Sequence, residues 1–261
     1  MKLFHIHKKN VPVKLGKHAP KHNPNDLKLA KYINYSTFPT PPAIIDWTGG
    51  ISSWGMMLND NLGDCTCAAI GHLIQDWTKN ASNTEITVPD SAILTAYEAV
   101  GGYVPGNEST DNGANMSDVL NYFKNTGVGG HFSLGNATIN SQNAQEVAVA
   151  TWLFGGTYIG IVLPASAQNE VGGLWDVGTN LSGNDAPGSW GGHATAGVYA
   201  DPTTYQLITW GAPQKYTPAF RNAYFDEEYV IITVDWINSV SNNCPAGFDL
   251  DQLKADLPNL A

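Results

Sequence analysis

A cysteine that opens a helix and a histidine that opens a strand are the residues in this chain that could do chemistry together. Cys65 follows Gly63 and Asp64 and leads directly into an apolar 3–4 pattern of Ala69, Ile70, Leu73, Ile74 and Trp77, which predicts a buried helix over 64–79. The positive partial charge at a helix N-terminus favours a thiolate over a thiol. Cys67 lies two residues on, rotated by about 200° around the same helix, so only one of the two can face a given cleft. His193 stands behind Gly191 and Gly192, which allow a substrate or an opposing backbone to approach closely. A thiolate and an imidazole brought together would perform acyl transfer, the sulfur attacking a carbonyl while the ring takes and returns a proton. Taken singly, each has a plainer reading: a cysteine at a helix start packs as a small hydrophobe, and a histidine ahead of a strand is structural.

The elements that must position these residues fall into two halves. After an extended, proline-rich stretch over residues 1–40, a compact domain is expected from about Pro42 onward. Helices are predicted at 64–79, at 90–100 started by Asp90 or Ser91, at 117–125 with Ser117 as N-cap and Gly127 just past the end, and near 143–153. Strands are predicted at Thr157–Leu163, Ala194–Tyr199, Tyr205–Trp210 and Tyr229–Val234, and Asp249 can cap a short helix ending before Pro258. Helices followed by antiparallel strands define an α+β arrangement.

Pro42-Ala43-Ile44-Ile45-Asp46-Trp47, then Asn59-Asp60-Asn61-Leu62-Gly63-Asp64-Cys65, resembles the start of the mature papain-like cysteine peptidase domain. There an Asp-Trp pair, an amide side chain, a glycine and the catalytic cysteine follow at nearly these intervals. Asn59, six residues before Cys65, stands where the family usually has glutamine, and Thr66 replaces the usual aromatic residue after the nucleophile. Gly191-Gly192-His193-Ala194 follows 128 residues after Cys65, near the 130–150 typical of the family, and Trp210-Gly211 is similar to the Trp-Gly that shelters its histidine. The resemblance covers about residues 41–236 and implies a papain-like fold, a helical lobe packed on an antiparallel β-sheet lobe. It also implies a peptide or amide substrate, with Cys65 as nucleophile, His193 as base, and Asn59 with the Cys65 N–H as oxyanion donors. The family's orienting asparagine is missing: Leu207-Ile208-Thr209-Trp210 offers Thr209, with Asp201 and Gln206 as weaker substitutes. Residues 1–40 have no counterpart in the mature domain and could stand in for an inhibitory propeptide. Two other readings remain open. Asp64-Cys65-Thr66 is similar to the Asp-Cys-Ser of cell-wall amidases, and a papain-like scaffold without catalysis could serve binding or assembly, for example in a virus particle.

Composition narrows the field. The chain has 261 residues, 43% hydrophobic and 14% charged, enough for one substantial core or two half-domains around a cleft. Residues 1–31 carry eight of the 13 basic residues and one acid, Asp26, for a formal +7, against −17 for the remainder. Such an arm is either a solvated tail or a segment held on an acidic body, its own or that of a neighbouring copy in a homo-oligomer. The acidic body repels phosphate, which argues against nucleic acid. No apolar run is long enough for a membrane span, and the N-terminus lacks the apolar core of a signal peptide, so a cytoplasmic or virion-associated protein is expected. Cys65, Cys67 and Cys244 suggest no disulfide framework. His72 reads as a core histidine, and Asp226-Glu227-Glu228 as a solvated turn. Asp111-Asn112-Gly113-Ala114-Asn115 with Asp118 lacks the full calcium-loop spacing, and no cofactor or metal motif is present.

Overall fold

A single helix forms the spine of the molecule. In the computed structural model, which describes residues 13–21, 23–236 and 249–256, α1 runs Cys65–Ser82 and is buried without a break from Cys65 to Thr78. Several of its polar side chains survive burial by finding backbone partners. Trp77 Nε1 donates to Phe154 O at 3.0 Å, Gln75 Nε2 donates to Ser53 O at 2.7 Å, and His72 Nε2 lies 2.7 Å from Gly55 O. The helix ends at Asn83, whose φ of +56° closes a left-handed cap.

Three more helices complete the helical side: α2 (Asp90–Gly101), α3 (Met116–Asn125) and α4 (Ala144–Phe154). α2 starts at Asp90, as expected, with Pro89 ahead of it. The N-cap of α3 differs from the expected Ser117: it is Asn115, because buried Met116 already belongs to the helix and carries Ser117 into its first turn.

The other half is a mixed sheet of eight strands among the described residues. They are β1 (Ile45–Asp46), β2 (Ser133–Thr138), β3 (Thr157–Leu163), β4 (Leu174–Trp175), β5 (Gly191–Ala200), β6 (Tyr205–Thr209), β7 (Ala212–Tyr216) and β8 (Phe225–Thr233). The order is β2-β8-β3-β5-β6-β7-β4, with β1 paired to the end of β5; all pairings are antiparallel except β4 with β7. This is the expected α+β class. β2, β7 and the short helix α5 (Pro218–Tyr224) carry no strong periodicity and were not anticipated. The β6 strand stops at Thr209 rather than Trp210, because Trp210 and Gly211, at φ +48° and +69°, form the two-residue turn into β7.

α1 packs along β5, and Tyr158 OH of β3 donates to Thr66 O at 2.9 Å, tying the first turn of the helix to the sheet. The core continues into the N-terminal stretch, where Leu29, Tyr32 and Ile33 are buried and Val13, Leu15 and Leu27 pack against it. Leu3, Phe4 and Val11 lie outside the described residues, as does Cys244. Asp249 caps the C-terminal helix Leu250–Asp256, accepting from Gln252 N at 2.9 Å, and its own N–H donates to Tyr32 O. No helix of the described residues is long and apolar enough to cross a membrane.

Because Leu29 is fully buried, Leu29→Ala should destabilise the protein by about 2–5 kcal/mol, read as a lowered midpoint in urea unfolding. A shift near zero would show that residues 29–33 do not belong to the folded core.

Candidate active site

α1 and β5, which pack against each other, each carry one member of the predicted pair. Cys65 occupies the first turn of α1, 1% exposed, and the backbone of Ala194, the residue after His193, lies beside its sulfur and opposes the rise of its pKa. Cys67 is also buried and free, and burial pushes its thiol well above its usual pKa. His193 is wholly buried in β5, its ring stacked on Trp210 with centroids 4.5 Å apart and planes 20° from parallel. Its Nε2 lies 2.6 Å from Thr209 Oγ1, while Nδ1 has no hydrogen-bond partner among the described residues. Thr209 thus holds one ring nitrogen of His193 and leaves the other without a bond. Asp201 is occupied elsewhere, accepting from Thr203 and Thr204 in its own turn.

The Trp210 turn explains how β6 reaches the imidazole. A tryptophan at positive φ is an uncommon conformation for a bulky residue. Here the strained turn lays the indole over His193 and places Thr209, the last residue of β6, beneath the ring edge.

Asn59 is 2% exposed in the loop before α1. Its side-chain nitrogen donates to Leu62 O at 3.0 Å and faces Lys14 O at 3.4 Å. Asp64, next to the cysteine, is fully buried, and both carboxyl oxygens lack a partner of good geometry. Burial pushes its pKa up to about 8; Asn59 beside it opposes the rise without closing a hydrogen bond of good geometry.

The N-terminal segment fills the space between these groups. Lys14 N donates to Asn59 O at 3.0 Å, Trp210 Nε1 donates to Lys14 O at 3.1 Å, and Lys17 N donates to Gly192 O at 3.0 Å. On the other side Ala114 N donates to Gly16 O at 2.8 Å and His18 N to Ala114 O at 3.0 Å. The Gly16 backbone also lies beside the Cys65 sulfur and opposes the rise of its pKa. Only glycine fits at Gly16, since a Cβ there would collide with Gly63 O. Three arm lysines pair with the body: Lys14 with Asp111 at 3.6 Å, Lys17 with Asp226 at 2.8 Å and Glu227 at 3.1 Å, and Lys21 with Asp118 at 2.6 Å.

Several acids therefore have roles that the sequence reading did not assign. Asp226-Glu227-Glu228 is not a solvated turn but the start of β8, where Phe225, Glu227 and Glu228 pair with β3. Glu228 is buried and accepts from Thr157 Oγ1 at 2.7 Å. Asp111 accepts from Gly63 N at 2.8 Å and Tyr97 OH at 2.6 Å, bracing the loop before Cys65. A run of three acids leading into an apolar strand was the available signal for a buried cation.

Electrostatically the covered pair is neutral. Burial pushes the Cys65 thiol up to about 12, against the smaller opposing effect of the Ala194 and Gly16 backbone. Burial likewise lowers His193 to about 3, with His72 adding to the shift. A histidine depressed in this way favours the folded state above about pH 6.5, the ordinary imidazole value. That contribution is lost as pH falls toward about 3.

No family model and no curated protein sequence matches this chain. Solved structures do. Xylellain, a cysteine protease from Xylella fastidiosa, aligns with a TM-score of 0.65 at 14% identity over 87% of this chain and 98% of that one. Procathepsin B S9 from Trypanosoma congolense aligns at 0.56 and 8% identity, over 84% and 86%. Digestive procathepsin L 3 from the larval midgut of Tenebrio molitor aligns at 0.52 and 12%, over 80% and 76%. At these identities the likeness is one of fold: the architecture is that of the papain-like cysteine proteases.

The Gly16 fit generates a direct test. Gly16→Val should expel the arm and raise the rate of Cys65 alkylation at pH 7 by at least about tenfold, since a thiolate reacts and a buried thiol does not. In the unaltered chain the alkylation rate should keep climbing above pH 9 without a plateau, as a thiol pushed up to about 12 requires. Peptide mapping after iodoacetamide treatment reads both. Equal rates in the two proteins would show that the arm does not cover the sulfur.

Proposed function

We propose that the chain is a papain-like cysteine peptidase in which Cys65 is the nucleophile, His193 the general base and Thr209 the group that orients the imidazole. The His193–Thr209 hydrogen bond carries this reading. It holds Nε2 at 2.6 Å and leaves Nδ1 of a wholly buried ring without a partner, on the strand whose next backbone group contacts the Cys65 sulfur. With the cleft open, Nδ1 takes the thiol proton as Sγ attacks the carbonyl carbon of a peptide bond. The tetrahedral oxyanion is held by the Cys65 N–H at the start of α1 and by the Asn59 amide proton that faces Lys14 O. Return of the proton to the leaving amine gives a thioester, and water activated by the same imidazole releases the acid.

Residues 13–21 act as a built-in cover in this reading, binding the body of their own chain. What the arm offers the sulfur is a backbone neighbour that excludes water, and a neutral thiol with a neutral imidazole is a resting pair. Opening the cleft would return water to both groups and let the helix N-terminus favour the thiolate. The complete burial of Cys65 and His193 also suits a second reading, a catalytically silent scaffold in which the arm is a permanent part of the fold.

Hydrolysis of peptide amides by the Gly16→Val chain separates the two. Cys65→Ala in that background should abolish turnover. Thr209→Val should lower kcat by about 10²–10⁴ with little change in KM, as loss of imidazole orientation does, whereas Thr209→Asn should retain most of it. An alkylatable Cys65 with no turnover of any peptide amide would establish the silent scaffold.

A further inference from the structure

Of the three arm lysines that pair with the body, Lys17 is the buried one, with only 1% of its side chain exposed. Its Nζ lies 2.8 Å from Asp226 Oδ2, 3.1 Å from Glu227 Oε1 and 3.1 Å from His18 O. Burying an ammonium is costly unless it is paired and hydrogen-bonded, so the receiving pocket must be built for positive charge.

The construction is visible in β8. Consecutive strand residues ordinarily point to opposite faces. Glu227 pairs with Gly160 and Phe225 with Ile161, which leaves Asp226 as an extra, unpaired residue. That bulge breaks the alternation and lets two neighbouring carboxylates converge on one cation. Tyr229 OH donates to Glu227 Oε2 at 2.8 Å and fixes the second carboxylate, while Asp226 Oδ1 is buried with acceptor capacity unused. Room for the lysine stem comes from Gly160, where a Cβ would collide with Lys17 Cε and come within 2.8 Å of Met116 Sδ. The pocket opens one residue from the sulfur, since the Gly16 backbone contacts Cys65 and Lys17 N is bound to Gly192 O. Ala114, which pairs with Gly16 and His18, offers the same backbone edge to any other extended peptide.

The geometry points to this pocket as a substrate subsite that selects a lysine or arginine side chain, with Asp226 and Glu227 as its specificity-determining residues and Lys17 holding the cation's place while the arm is closed. The assignment rests on the peptidase reading above. An arginine fork or an ammonium satisfies both carboxylates, whereas an apolar side chain leaves two buried acids unpaired.

The full-length Gly16→Val/Lys17→Ala chain, with the arm expelled and its lysine removed, empties the pocket for testing. Peptide amides that differ only in carrying Arg, Lys, Leu or Phe at the first or second position before the cleaved bond are compared by kcat/KM. The same peptides are titrated against full-length Gly16→Val/Lys17→Ala/Cys65→Ser, which reads selection without turnover. Basic peptides should lead by at least about tenfold in both assays, and adding Asp226→Asn with Glu227→Gln should shrink the ratio to within about threefold. Glu227→Gln alone serves if the double change unfolds the protein. Cleavage without a preference for basic side chains overturns the subsite and leaves the peptidase reading intact. Charge-dependent binding without cleavage supports the subsite and overturns the peptidase reading. Equal binding of Arg and Leu peptides, no binding of either, or a preference indifferent to the loss of the two carboxylates would show that Lys17 is an arm latch and nothing more.

Discussion

The packing of α1 along β5 is the constraint from which the site follows. It joins residues 128 positions apart in the chain, and it can do so only because α1 is buried on every side through Thr78. A helix buried all round must satisfy its polar side chains internally, and Gln75, His72 and Trp77 do this through the loops and helices that frame it. Those bonds fix the height and rotation of the first turn. Tyr158 then clamps that turn from β3, so Cys65 has one place to be.

Much of this was legible in the sequence because the determining features are local. The apolar repeat behind Cys65 marks its helix, paired glycines mark the approach to His193, and β-branched runs mark β3 and β8. Thr209 could be singled out because the hydroxyl is the orienting group left immediately before Trp210. What stayed hidden depends on tertiary contact. β2 and β7 contain Gly135 and Pro213 and gain their strand character from their neighbours β8 and β6. The turn at Trp210 was missed because a tryptophan at positive φ runs against its intrinsic preference and is held there by its stacking partners. Asp226 and Glu227 read as surface acids because their counter-ion lies 209 residues away in the chain.

The charge split between arm and body finds a physical use in the same contacts. Exposed lysine–carboxylate pairs contribute only about 0–1 kcal/mol each, so Lys14 and Lys21 cannot hold the segment alone. The fit of Gly16 against Gly63, the backbone bonds at Gly192 and Ala114, and the buried pair at Lys17 supply directionality, while the surrounding charge adds attraction that salt will screen. Closure thus combines a shape term at one glycine with an ionic term at one lysine.

Trp210 joins these parts optically. Its indole stacks on His193, lies within ring-contact distance of Trp190 and Trp175, and donates its N–H to Lys14 of the arm. Departure of the arm removes that hydrogen-bond acceptor and admits water to a chromophore lying on the imidazole. The molecule therefore carries an intrinsic fluorophore at the junction of arm and imidazole, and under the peptidase reading proposed above its contribution to the emission of the chain's eight tryptophans would report whether the arm is in place.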